Sequence, residues 1–316
     1  MNFDITIGSF RLTTLESVVV TCSVENLADT ATITLPGAVY NRALEIESKI
    51  KEGDPVCIRF GYDARLQELP VEFEGYVESI ATDGGSVKIN CEDEIYKFRR
   101  DLENTSLASV SVKELLEHVL RELGGFDLSC DYDFKYDKFT IYDATGFDVL
   151  KKVQEETRAN IYLKGKTLHV HPQYAETGKT VICDFAVNIE KSDLKYKDAR
   201  QRKFVATVEG TDAKGKTVKV TKGTPGGDKF TIKLPGVSDK AALERRAEEE
   251  LKIRAYSGYE GNFTTWLVPR IEPTDIVELR DADYEYKTGQ YYVVAVVTTF
   301  AASGGSRKVT IGKKIG

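Results

Sequence analysis

The chain has 316 residues, 41% of them hydrophobic and 30% charged, with a formal net charge of −6 and a pI near 5.4. That balance excludes bulk disorder and argues against a protein built to grip a phosphate backbone, which needs a basic stripe. No apolar run reaches membrane-spanning length, and the start, MNFDITIGSF, has neither the basic nor the apolar region of a secretory signal.

Residues 1–100 read as short strands and close turns. FDITIGSFRL alternates apolar and polar residues around a Gly8-Ser9 turn. SVVVTCSVENLADTATITL gives a β-rich run, a polar break over Glu25–Asp29, then a second alternating run through Ala31, Ile33 and Leu35. Gly53-Asp54 reads as the turn into a strand with Val56 and Ile58 on one face and Cys57 and Arg59 on the other. VEFEGYVESIATDGGSVKINC, residues 71–91, then reads as a hairpin turning at Gly84-Gly85. Six or so strands of this kind suggest a sandwich or barrel.

From Asp101 the style changes. Val110-Ser111-Val112-Lys113-Glu114-Leu115 has the form of a capped helix start, with Ser111 as N-cap, Glu114 closing a capping box and Val110 and Leu115 as a hydrophobic staple. Leu115, Leu116, Val119, Leu120 and Leu123 recur at helical spacing until Gly124-Gly125. FDLSCDYDF reads as a strand, and a second helix is expected from Thr145. NIYLKGKTLHVHP reads as a hairpin closed by Lys164-Gly165. Beyond residue 181 strands resume, interrupted by a helix over SDKAALERRAEEELKIRAYSG with Ser238 as the candidate cap. The expected class is mainly β (α+β): a first β domain over 1–105, a small α/β domain over 106–180 and a second β domain over 181–316.

The two end domains share a pattern. VVAVVTTFAASGGSRKVTI at 293–311 repeats the second half of the 71–91 hairpin at an offset of 220, placing Gly84, Gly85 and Lys88 on Gly304, Gly305 and Lys308. Upstream, GDPVCIR at 53–59 matches TDIVELR at 274–280 at an offset of 221, placing Asp54 on Asp275. Two blocks in one order favour two related β domains over two unrelated ones that share generic hairpins. Gly53, Asp54, Gly84, Gly85, Asp275, Gly304 and Gly305 are the architectural positions this reading selects.

With those residues in place a resemblance appears. VVVTCSVENLADTATITLP, GDPVCIRFGYD and FEGYVESIATDGGSVKINCEDEIYKFRRD resemble the first domain of baseplate hub proteins of contractile-tailed phages, the Mu-like tail protein and late-control D family. FDVLKKVQEETRANIYLKGKTLHVHP and the stretch from Glu244 to the C-terminus are similar to that family's middle and last domains, although Pro273-Thr274-Asp275 lacks the glycine usual at that turn. The resemblance implies a homotrimer with two tube-type β-barrel domains per subunit in a pseudo-six-fold ring. It implies as partners a tail tube protein, a separate spike protein and other baseplate proteins, and as location the virion tail baseplate, reached from the bacterial cytoplasm. From the acidic pI and the lack of a long apolar run, neither specific nucleic-acid binding nor membrane insertion of this chain is expected.

Chemistry is sparse. The five cysteines, Cys22, Cys57, Cys91, Cys130 and Cys183, are scattered and form no CxxC pair, as in a reducing compartment. Of three histidines, His118 reads as helix surface, while His169 and His171 share one face of a predicted strand. That spacing suits two metal ligands, but no third is identifiable and Pro172 ends the strand, so the pair reads as a polar face and no cofactor is expected. Glu92-Asp93-Glu94 reads as a solvated turn rather than an acid–base pair. No GxSxG, HExxH or phosphate-loop motif occurs, and KGTPGGDK and KDARQRK read as a surface loop and a solvated edge. A structural protein rather than an enzyme is expected. The alternatives are a tail-associated cell-wall hydrolase and a carbohydrate-binding β module.

Overall fold

The computed structural model describes residues 2–36, 49–62, 65–83, 85–132, 134–199, 202–212, 214–285 and 288–315. The N-terminal third supplies β1 (Asn2–Ile7), β2 (Phe10–Arg11), β3 (Ser17–Ser23), β4 (Thr30–Leu35), β5 (Pro55–Gly61), β6 (Val71–Asp83) and β7 (Ser86–Glu92). Strands such as β4, β5 and β7 bury alternate residues, as Val87, Ile89 and Cys91 do on β7, so a one-sided core follows from the period of two. Next come β8 (Thr105–Ser111), α1 (Val112–Leu123), β9 (Asp127–Cys130), β10 (Lys135–Ile141), α2 (Gly146–Thr157), β11 (Asn160–Lys164) and β12 (Thr167–His171). The last part holds β13 (Thr180–Asp184), β14 (Ile189–Ser192), β15 (Lys195–Lys197), β16 (Phe204–Thr211), β17 (Thr217–Gly223), β18 (Asp228–Pro235), α3 (Lys240–Arg254), β19 (Gly258–Trp266), β20 (Ile276–Arg280), β21 (Gly289–Ala301) and β22 (Gly304–Lys314).

Helix ends follow local chemistry. Ser111 Oγ accepts from Glu114 N at 3.2 Å and Glu114 Oε2 accepts from Ser111 N at 2.8 Å, which is the expected capping box. Thr145 and Asp148 repeat it at the start of α2. At α3 the cap is Asp239, which accepts from Ala241 N and Ala242 N. Ser238, the expected cap, instead donates to Asp137 Oδ2 at 2.7 Å. The carboxylate offers two acceptors to two orphan helix amides, and the hydroxyl has a partner elsewhere.

The fold is mainly β, but two separate closed barrels are absent among the described residues. The strands of both ends join one open 14-stranded sheet whose main path runs β14-β19-β22-β21-β3-β4-β7-β6-β5-β1-β2. The join is antiparallel pairing of β3 with β21, from Ser23↔Ala295 to Ser17↔Ala301. The outer edge of β3 satisfies its backbone groups on a strand from the other end of the sequence rather than within its own unit.

Three main apolar clusters lie along this sheet and beside it. One belongs to the N-terminal strands but includes Leu267 and Phe300 from the C-terminal ones. A second holds Val277, Leu279, Tyr291, Val293, Val309 and Ile311. The third joins the middle segment to β16–β18 and α3, through residues such as Leu116, Leu150, Val208 and Leu243. It therefore draws on residues from both sides of position 181, because the apolar face of α3 and of β16 turns toward the middle segment.

Candidate functional site

Two turns, 221 positions apart, have the same hydrogen bonds. At the first, Asp54 N donates to Lys51 O at 3.1 Å, Gly53 N to Val77 O at 2.8 Å and Val77 N to Asp54 O at 2.9 Å, while Asp54 Oδ2 accepts from Lys51 N at 2.8 Å. At the second, Asp275 N donates to Glu272 O at 3.1 Å, Thr274 N to Val293 O at 2.9 Å and Val293 N to Asp275 O at 2.9 Å, while Asp275 Oδ2 accepts from Glu272 N at 3.0 Å. Gly53 has φ +84° and Thr274 φ +75°, so the left-handed turn persists where its glycine does not. The Asp side chain explains this: it closes the turn on the backbone whatever precedes it.

The equivalence continues strand by strand. Val56↔Gly75 and Ile58↔Phe73 on β5–β6 match Val277↔Tyr291 and Leu279↔Gly289 on β20–β21. Ile80↔Ile89 matches Val296↔Val309, and Ile33↔Ile89 matches Phe263↔Val309. A register shift follows Val77 on β6 and Val293 on β21. The strand order β3-β4-β7-β6-β5-β1 is thus repeated by β14-β19-β22-β21-β20-β13. The terminal strand differs, since β1 is antiparallel to β5 and β13 parallel to β20.

The hairpin tips diverge. Beyond Ile80↔Ile89 the first hairpin continues for three pairs, whereas beyond Val296↔Val309 the second continues for five. The second tight turn therefore falls on Ala302-Ser303, and Gly304 and Gly305 open β22, paired with Ala301 and Phe300. The offset of 220 is right for β7 against β22 but four too large for β6 against β21, because each arm of the second hairpin is two residues longer. Gly85 has φ +95° and Gly304 φ +139°; Gly305 has no positive φ; Gly84 lies outside the described residues.

Where the two units meet, a buried ion pair crosses the seam. Arg307 on β22 donates Nη2 to Glu72 Oε1 at 2.7 Å and Nη1 to Glu72 Oε2 at 3.0 Å, with both side chains 3% exposed. Thr298 Oγ1 accepts from Nη1 at 2.7 Å and Leu267 O from Nε at 3.0 Å. Nothing in the spacing of Glu72 and Arg307 announces this pair, because 235 residues separate them. Phe300 stacks on Phe60 at 4.8 Å beside it.

On β21, residues beyond the end of β20 carry β3 on their free edge. The equivalent stretch of β6, Ser79–Asp83, lies beyond the end of β5 and pairs with β7 alone among the described residues. The counterpart of β3 is the β14–β15 run, with Lys195↔Glu260 matching Thr21↔Thr30, and its outer edge carries no strand among the described residues.

A cleft of about 860 Å³ opens between the units, lined by Asp29, Glu72, Asp93, Glu94, Lys166 and Asp275 among others. Here the solvated-turn reading of Glu92-Asp93-Glu94 fails. Glu92 is 8% exposed and receives Arg99 Nε at 2.7 Å, Asp93 Oδ1 accepts from Ile95 N at 3.0 Å, and Glu94 meets Lys97 and Lys166, each at 2.8 Å. Burial pushes Asp93 well above the usual carboxylate range, with the Asp29 charge adding to it. For Glu94 burial acts the same way, but its lysine partners and Tyr76 outweigh it and hold the carboxyl low. The environments contrast, yet each carboxylate is already held by a backbone amide or an ion pair. His169 and His171 share one face of β12 as expected, and Glu176 joins them.

No family model and no curated protein matches this chain in sequence. Solved structures do share its fold. The 43 kDa tail protein of prophage MuSo2 from Shewanella oneidensis superposes with a TM-score of 0.68 at 12% identity, covering 99% of this chain and 98% of that one. A tail protein from Neisseria meningitidis gives 0.68 at 14% identity, covering 98% and 96%. An E. coli component of the type VI secretion system, described as structurally similar to the T4 tail proteins gp27 and gp5, gives 0.62 at 10% identity, covering 99% and 79%. The chain has the fold of phage tail proteins over almost its whole length.

Proposed function

We propose that this chain is the structural hub of a phage-tail baseplate or related contractile injection machine. In this reading three copies close a pseudo-six-fold ring, and that ring joins a tail tube to a separate spike protein, with other baseplate proteins around it. The likeness in fold to tail proteins and to a secretion-system component supports the tail-like role. The observation that carries the trimer is the pair of unfilled edges. Within one copy, β3 lies on β21; between copies, β15 and its flanking residues would lie on Ser79–Asp83 of β6 in the same way, with Lys195 opposite Ala81. One such contact per neighbour makes a head-to-tail ring, and with two like units per chain a ring of three copies presents six units around a three-fold axis. Adding a strand to an open edge satisfies backbone groups on both sides and leaves no edge for unspecific pairing. The ring would act as a conduit and as an adaptor between a six-fold tube and a three-fold spike, which requires no catalytic group.

The test is native mass by light scattering behind a sizing column, over a concentration series, alone and with the cognate spike. A trimer is expected, and an Ala81→Cys/Lys195→Cys chain should cross-link between copies, because paired strand residues fit disulfide geometry. A monomer under every condition overturns the reading.

A further inference from the structure

The chain leaves β12 at His171 and runs through residues 172–179 into β13. Along that connection Glu176 turns back on the histidine face of β12. Its Oε1 lies 2.9 Å from His171 Nε2 and its Oε2 3.2 Å from His169 Nδ1. The donor atoms of all three residues lie within 4.8 Å of one another. Donors at zinc bond lengths of about 2.0–2.2 Å stand roughly 3.3 Å apart in a tetrahedron, so the two histidine–carboxylate separations are of that order, and the set as a whole is a looser one that a cation would draw together.

The surroundings orient the donors. His171 is 5% exposed, and its Nδ1 lies 2.5 Å from Asp131 Oδ1. With Asp131 accepting from Nδ1–H, Nε2 faces Glu176 Oε1 at a distance that needs a proton or a cation between them, and a carboxylate on the other ring nitrogen is what fixes ring direction in histidine–metal sites. Tyr162, directly across the hairpin from His169, stacks its ring on the imidazole with centroids 5.0 Å apart and planes 5° apart. Its hydroxyl donates to Glu176 Oε2. Ser129 Oγ stands 3.3 Å from His171 Nε2, at the same point. Against this order, His169 Nδ1 is shut off from solvent and makes no hydrogen bond. That ring nitrogen has the Glu176 carboxylate beside it at 3.2 Å but outside hydrogen-bond geometry, which leaves it open to a ligand.

We propose that His169 Nδ1, His171 Nε2 and a Glu176 carboxylate oxygen bind a divalent first-row transition cation of the zinc class, with water as fourth ligand. Two imidazoles and one carboxylate suit such an ion better than Ca2+ or Mg2+, which prefer all-oxygen shells. Two ligands come from β12 and one from the connection to β13. The cation therefore pins that connection to the middle segment and fixes how the C-terminal β unit departs from it.

The experiment titrates Zn2+ into the chelator-stripped, full-length protein by calorimetry, beside His169→Ala and Glu176→Gln. Both substituted side chains are partly exposed, and circular dichroism checks that the variants fold. One Zn2+ per chain is expected in the native sequence, with a rise in thermal midpoint that chelator reverses. Affinity should fall at least about ten-fold in each folded variant. Co2+ gives a readout independent of the variants: an intense tetrahedral visible spectrum supports the site, and the weak spectrum of the hydrated ion overturns it. Absence of Zn2+ uptake, or unchanged affinity in a folded variant, also overturns it.

Discussion

Arg307 and Glu72 form a bidentate ion pair in which neither side chain is more than 3% exposed, and it fastens the last strand of the C-terminal unit to the start of β6. Two charges removed from water are tolerated because every guanidinium group in contact has an acceptor: the carboxylate, Thr298 Oγ1 and Leu267 O. Removing one partner leaves the other charged and buried. Glu72→Gln or Arg307→Met should each cost about 3–5 kcal/mol in denaturant unfolding, and the double substitution far less than their sum. Additive losses would mean that the pair is not coupled.

The seam also depends on Phe300, which leaves its own unit to stack on Phe60 and meet Phe3 edge-on at 6.2 Å. Phe300→Ala should cost about 3–5 kcal/mol and lower the unfolding midpoint of both units together, because the cavity opens in the core of the other unit. Separate transitions, with only the C-terminal one shifted, would contradict a shared core.

The equivalent turns predict unequal responses to glycine exchange. Gly53→Val places a β-branched residue at φ +84° and should cost about 1–3 kcal/mol, whereas Thr274→Gly relieves the same conformation and should be close to neutral. At the second hairpin Gly304→Val should destabilise, since φ is +139°, while Gly305→Val, in ordinary strand backbone opposite Phe300, should stay within about 0.5 kcal/mol. Thermal unfolding of the four variants checks the ranking; equal losses at Gly304 and Gly305 would count against the register.

Asp29 gives the cleft a pH dependence. Burial pushes its carboxyl from 3.8 to about 6, against the hydrogen bonds from Ser23 N and the Cys22 thiol. The folded value lies above the unfolded one, so folding favours the protonated form. This stabilisation is complete below about 3.8 and is lost as pH rises through about 6. A shift of that size corresponds to about 3 kcal/mol between the two protonation states, as an upper bound. Asp29→Asn, which keeps an acceptor for Ser23 N, should exceed the native sequence in thermal midpoint at about pH 8 and converge with it near about pH 4. A gap independent of pH would exclude burial of the charge as its source.

Much of this was legible in the sequence. Alternation and turn residues marked the strands of β4–β7 and β22, and the Ser111–Glu114 box marked α1 to the residue. Asp54 and Asp275 betrayed the repeat because an Asp that closes its own turn is a local device, readable from a few residues. Those signals depend on chemistry within one strand or turn. They failed where equivalent arms differ in length: Gly304-Gly305 carries the same letters as Gly84-Gly85, but two extra residues on each arm move the turn to Ala302-Ser303.

What the sequence determined by itself was a mainly β chain with a helical interruption, since periodicity and capping are properties of neighbours along the chain. Only the tertiary structure decided that the units share one sheet through β3 and β21, that Arg307 neutralises Glu72, and that Glu176 closes on His169 and His171. Each of these joins groups whose sequence distance is unrelated to their spatial one. Strand edges, buried charges and metal-type donors choose partners by unsatisfied valence and geometry, and those are fixed only when the chain has folded.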